Sequence, residues 1–67
     1  MLSIAAFLNK EKIEILRIHN TEKMDKRGRH IYEAWSDINP EKKVVVAHLR
    51  RNGWRKLGIK VLEELEK

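Results

Sequence analysis

Val44-Val45-Val46-Ala47-His48-Leu49 is the segment on which the architecture turns. Three consecutive β-branched residues lose rotamer freedom in a helix and suit a pleated strand. The apolar side chains of this run point all round a helical wheel, so no amphipathic face emerges. A strand buried on both faces is the expectation. The competing reading begins at Asn39-Pro40-Glu41, which would cap a helix with proline at its first position. The three valines weigh against it.

On the C-terminal side, Trp54, Leu57, Val61, Leu62 and Leu65 share one arc of a helical wheel, with Arg55, Lys56, Lys60, Glu63 and Glu66 opposite. Ile59 alone is out of place, and Gly58 costs roughly 1 kcal/mol relative to alanine inside a helix. Asn52-Gly53 is also a hairpin signal, and Leu57, Ile59 and Val61 alternate as a strand would. The good helix formers from Val61 to Lys67 favour the helix, and Trp54 then belongs to the core. On the N-terminal side, Arg29–Ser36 reads as a strand with Ile31 and Trp35 on one face and His30, Tyr32 and Ala34 on the other, or as a short helix using Ile31, Ala34, Trp35 and Ile38. Ile13–Ile18 scatters around a helical wheel and reads as a strand; Leu2–Leu8 is ambiguous and leans the same way.

The resulting expectation is an α+β fold, a three- to four-stranded antiparallel sheet followed by a C-terminal amphipathic helix, in a single domain over residues 1–67. The connections fall at Asn9–Lys12, Asn20–Gly28 and Asp37–Lys42. The alternative is an all-α helix-turn-helix reader of duplex DNA, with helices at Asn9–His19, Arg29–Ile38 and Pro40–Asn52.

At 67 residues and 8.0 kDa the chain can hold one core, and a domain of this size buries only about 60% of its unfolded surface. It has no cysteine, so neither disulfides nor Cys-ligated zinc can reinforce it, and a homodimer is a natural way to add buried area. The apolar run Ile4–Leu8 is far shorter than the ~20 residues of a membrane span. No basic region precedes it, so a signal peptide is not expected. The expectation is a cytoplasmic or nucleoid-associated protein without membrane attachment.

Fifteen Lys and Arg oppose ten Asp and Glu, a net charge of +5. Eight of the fifteen fall in two clusters, Lys23, Lys26, Arg27 and Arg29, then Arg50, Arg51, Arg55 and Lys56, with Tyr32, Trp35 and Trp54 nearby in sequence. Basic clusters beside aromatic residues mark a polyanion-binding surface, most often nucleic acid. Long basic side chains on a hairpin tip can follow a phosphate backbone, and arginines at a helix start add to the anion preference of its free amides. Tyr32, beside His30, is the better candidate for stacking a base. The plainer readings are a solvated basic loop and arginine stems covering apolar surface.

Catalytic chemistry finds little in the sequence. Ser3 and Ser36 lack a nucleophile context, no glycine-rich phosphate loop exists, and His19, His30 and His48 have no ligand-like spacing. Neither an enzyme, a metal site nor a cofactor is expected.

Tyr32-Glu33-Ala34-Trp35-Ser36-Asp37 ends one strand, the polar turn Asn39-Pro40-Glu41-Lys42-Lys43 follows, and then comes the strand Val44–Leu49. Trp54 stands five residues after Leu49, and Leu57 three later. Over residues 13–65 this order resembles the Whirly-like transcriptional coactivator family. The resemblance implies a four-stranded antiparallel sheet with a following helix, a dimer, single-stranded DNA binding and a role in transcription regulation. The combined expectation is a small binding protein that prefers single-stranded nucleic acid. The rivals are the helix-turn-helix regulator and a protein-interaction module whose basic face docks an acidic partner.

Overall fold

The computed structural model describes residues 2–67. Four strands, β1 (Leu2–Asn9), β2 (Lys12–Met24), β3 (His30–Ser36) and β4 (Asn39–His48), pair in the order β1-β2-β3-β4, each antiparallel to the next. A 3₁₀ turn at Arg50–Asn52 leads into the single helix α1 (Trp54–Leu65). The α+β expectation holds, and the all-α alternative is overturned: Asn9–His19, Arg29–Ile38 and Pro40–Asn52 are mostly strand.

One helix can cover only one face of a sheet, and this fact organises the core. The inner face presents Leu16 and Ile18 from β2, Tyr32 and Ala34 from β3 and Val46 from β4, all buried against Leu57, Val61 and Leu62 of α1. Leu57 and Val61 are fully buried, each contributing about 1.5–3 kcal/mol of hydrophobic stabilisation. Phe7 and Leu65 pack at the margin. The outer face stays bare. There Leu2, Ile4, Leu8, Ile13, Ile15 and Val45 are exposed, so β4 is not buried on both faces as its valines suggest.

Gly58 has a reason to sit inside the helix. A Cβ built on it would run into the Phe7 ring of β1, so the glycine is what lets the helix lie against the far strand. Ile59 points outward and is 49% exposed, as the wheel implies.

Two boundaries differ from the sequence reading. Strand β2 runs on to Met24, where a loop from Asn20 was expected, because a bulge between Asn20 and Met24 absorbs the polar residues without ending the pairing. Glu22 takes a left-handed conformation, φ 65°, with its amide donating to Asn20 Oδ1 at 2.9 Å, and Thr21 Oγ1 donates to Ile31 O at 2.8 Å. Strand β4 starts at Asn39, so only Asp37 and Ile38 connect it to β3. Pro40 is tolerated inside β4 because β4 is an edge strand.

Candidate nucleic-acid interface

Antiparallel register decides where the two basic clusters go. The β2–β3 connection leaves the sheet beyond the Met24–His30 pair, and His30 is in turn opposite His48 at the end of β4. The loop carrying Lys26, Arg27 and Arg29, with Lys23 just before it, therefore stands at the same end of the sheet as Arg50 and Arg51. The helix starts there too, with Arg55 and Lys56 in its first turn. Residues more than 20 positions apart in the chain become one basic end. Of the ten acids in the sequence Glu22 and Asp25 stand at this end, and Glu63 and Glu64 line a neighbouring groove with Arg29. The remaining seven bases are mixed with the other acids along the rest of the molecule.

Among the described residues only Arg29 of the eight has an acidic partner, its Nε lying 2.7 Å from Asp25 Oδ2. That pair shapes the hairpin tip. Asp25 Oδ1 accepts from the amides of Arg27 at 2.9 Å and Arg29 at 2.8 Å, and Gly28 supplies φ 80° for the return. The Arg29 backbone N–H, ahead of its guanidinium, holds the Asp25 carboxyl below its ordinary value of 3.8. The charge of Arg29 is thus spent inside the loop, whereas Lys23, Lys26 and Arg27 extend into solvent.

The helix start is unusually uncompensated. Gly53 stands at the N-cap with φ 91° and offers no side chain, and no acid lies in the first turn. Two bases occupy that turn instead, on top of the positive end of the helix dipole. Asp, Glu, Ser or Thr would normally serve these amides.

Beneath the helix start lies a cleft of about 440 Å³. Ile18 and Leu57 form apolar wall, and Asn20, Glu22, Tyr32, His48, Arg50 and Trp54 bring polar or aromatic groups to it. Tyr32 is 6% exposed and belongs to the core, which corrects its expected role as a free stacking platform; alternation along β3 turns it inward with Ala34. Trp54, expected in the core, is 40% exposed because it opens the helix beyond the end of the sheet. Trp35 lies on the outer face, with Lys43 Nζ 5.1 Å from its ring centroid.

His48 is 3% exposed. Its Nε2 lies 2.9 Å from Gly53 O, and a carbonyl only accepts, so Nε2 carries the hydrogen. Nδ1 is then a buried lone pair without a partner among the described residues.

The chain matches no family model, no curated protein and no solved structure. Its chemistry must be read from these residues. Among the described residues no three His, Cys, Asp or Glu side chains gather into a metal-holding group, and no helix is long and apolar enough to cross a membrane. The basic clusters were legible in the sequence, and their convergence is added by the register. Asn20, Glu22 and the cleft role of Trp54 were not foreseen. For Trp54 the sequence signal was a glycine followed by bases at a helix start; Asn20 and Glu22 had none.

Proposed function

We propose that this chain is a nucleic-acid-binding protein that grips a single strand at its basic end. The observation that carries the reading is the convergence of eight bases at one end of the sheet, seven of them without an ion-pair partner among the described residues. Lys23, Lys26, Arg27, Arg50, Arg51, Arg55 and Lys56 supply phosphate contacts, with Arg29 holding the loop in shape. A single strand suits this end better than a duplex, because a cleft with aromatic wall beside the cationic rim can take an unstacked base. The resemblance to single-stranded-DNA-binding coactivators points the same way and extends to a role in transcription regulation.

The test is fluorescence anisotropy with labelled single-stranded DNA, single-stranded RNA and duplex probes across a salt series. Four to six phosphate contacts give a log–log salt slope of about −3 to −4 on single strands. Arg50→Glu with Arg51→Glu should lower affinity at least about tenfold and flatten that slope, while the circular-dichroism spectrum is unchanged. An unaltered affinity removes the patch from the interface.

The outer face supports a reading for a second partner, another copy of the chain. Its exposed residues include the aliphatic side chains of Leu2, Ile4, Leu8, Ile13, Ile15 and Val45, Lys43 lies over Trp35, and Arg17 is already paired with Asp37 at 2.8 Å. Such a face matches its own copy better than a polyanion. Four strands of about eight residues present a planar area of about 500 Å², of the order needed for the roughly 800 Å² of accessible surface that a stable interface buries per partner. Sedimentation equilibrium should give twice 8.0 kDa, and Ile4→Lys should return the monomer. A wild-type monomer at high concentration ends this reading.

A further inference from the structure

The cleft at the basic end has more chemistry than a phosphate needs. A phosphate dianion brings only acceptors, and Arg50 with the uncapped first turn of a 12-residue helix would satisfy it. Two other residues that line the cleft carry acceptors, one buried at His48 and one exposed at Glu22. His48 Nδ1 is a buried, unpartnered lone pair, and the Glu22 carboxylate has no ion-pair partner among the described residues. A ligand that answers both sets carries an anion and a hydrogen-bond-donating edge. Trp54 adds exposed aromatic surface, and about 440 Å³ lies within the range of small-molecule sites.

We infer that the cleft seats one nucleotide of the bound strand, with guanine the favoured base. The phosphate lies at Arg50 and the amides of the first turn, and the base edge faces Glu22 and His48. Guanine presents a ring N–H and an exocyclic NH₂ side by side, which a carboxylate accepts as a pair. Adenine and cytosine set a ring lone pair beside their amino group, and uracil and thymine flank their single N–H with carbonyls, so each brings an acceptor against Glu22. The bulge fixes where the Glu22 side chain leaves the backbone, its left-handed conformation being supported by the 2.9 Å bond from its amide to Asn20 Oδ1. This inference rests on the nucleic-acid reading above and sharpens it to one position of the strand.

The experiment uses a Trp35→Phe chain, in which Trp54 is the only tryptophan and reports on the cleft. Its emission is followed during titration with GMP, AMP, CMP, UMP and inorganic phosphate, then with oligonucleotides that contain or lack guanine. GMP should bind at least about tenfold more tightly than UMP or CMP, the scale of one good paired contact to a base edge. Glu22→Gln, at an exposed position, should reduce that preference to about threefold or less by removing half of the paired acceptor. Guanine-containing oligonucleotides should show the same preference and the same loss.

Equal responses to all four monophosphates, or to phosphate alone, overturn the inference in favour of an anion site without base recognition. Oligonucleotides binding with steep salt dependence while no monophosphate changes Trp54 emission would leave the proposed function standing and refute the nucleotide seat. A GMP response with no oligonucleotide binding would overturn the seat for a strand nucleotide together with the proposed function, leaving a site for the free nucleotide.

Discussion

The two ends of this sheet are built from the same residue types and arranged in opposite ways. At the end holding the Lys10-Glu11 and Asp37-Ile38 turns, charges interleave and pair: Lys10 with Glu66 at 3.7 Å, Lys67 with Glu64 at 2.7 Å, Arg17 with Asp37 at 2.8 Å. The helix finishes there with Lys42 Nζ donating to the main-chain oxygens of Leu65 and Lys67, an arrangement that stabilises a helix C-terminus. At the other end the helix begins on glycine with Arg55 and Lys56 against its dipole, beside an imidazole nitrogen unpartnered among the described residues. A chain that can neutralise one helix end has the residues to neutralise both. Local rules broken together at one place are expected at functional or strained sites.

The helix joins the two ends, so the strongest way to break the contrast is to dislodge it. Gly58→Ala should gain roughly 1 kcal/mol from helix propensity. The new methyl, however, enters the space of the Phe7 ring, and overpacking of this kind costs about 1–3 kcal/mol. The expected net result is a lower melting temperature in a thermal scan, with Phe7→Leu in the same chain restoring it. A higher melting temperature for the single variant would show that Phe7 is free to swing away and that the helix is not seated by this contact.

A smaller effect of opposite sign sharpens the contrast. Lys56→Glu places an acid in the first helical turn and should stabilise the fold by about 0.3–1 kcal/mol. The same change removes a cation from the basic end and should weaken strand binding. Parallel melting and anisotropy measurements must therefore move in opposite directions. If both fall, the helix start is not electrostatically strained.

The smallest effect is confined to the hairpin tip. The Asp25 carboxyl titrates below 3.8 in the folded chain. A depressed carboxylate contributes stability that is fully present above its unfolded value and is lost as pH falls through the folded value. Loosening of the tip should therefore begin only below about pH 4. It would be read as movement of the Arg27 and Arg29 amide resonances in an acid titration. Resonances that stay fixed while the carboxyl protonates would show that the loop is shaped by Gly28 and its backbone alone.

Much of the fold was readable because its evidence is local. Alternation in residues 30–36 assigned Ile31 and Trp35 to one face and Tyr32 and Ala34 to the other, and the valines of β4 marked a strand. The face of α1 followed from Leu57, Val61 and Leu62. What escaped was set by distant neighbours. Asn20 to Lys23 looked like loop because a bulge held by the Asn20 side chain leaves no trace in periodicity. The valines implied two covered faces because a sequence does not announce that only one helix is available. Trp54 has the right wheel position for burial, yet it begins the helix where the sheet has ended. The charges of the candidate site were visible as two clusters, whereas their union depends on the pairing of His30 with His48.

The meander order of the sheet bears on how the chain folds. Each strand pairs with its immediate successor, so every ladder closes a short connection and can zip from its own hairpin at little loop-closure entropy. The meeting of Phe7 with Gly58 bridges nearly the whole polypeptide, which makes helix docking the late, non-local step. Weakening that contact should accelerate unfolding while leaving the refolding rate almost untouched.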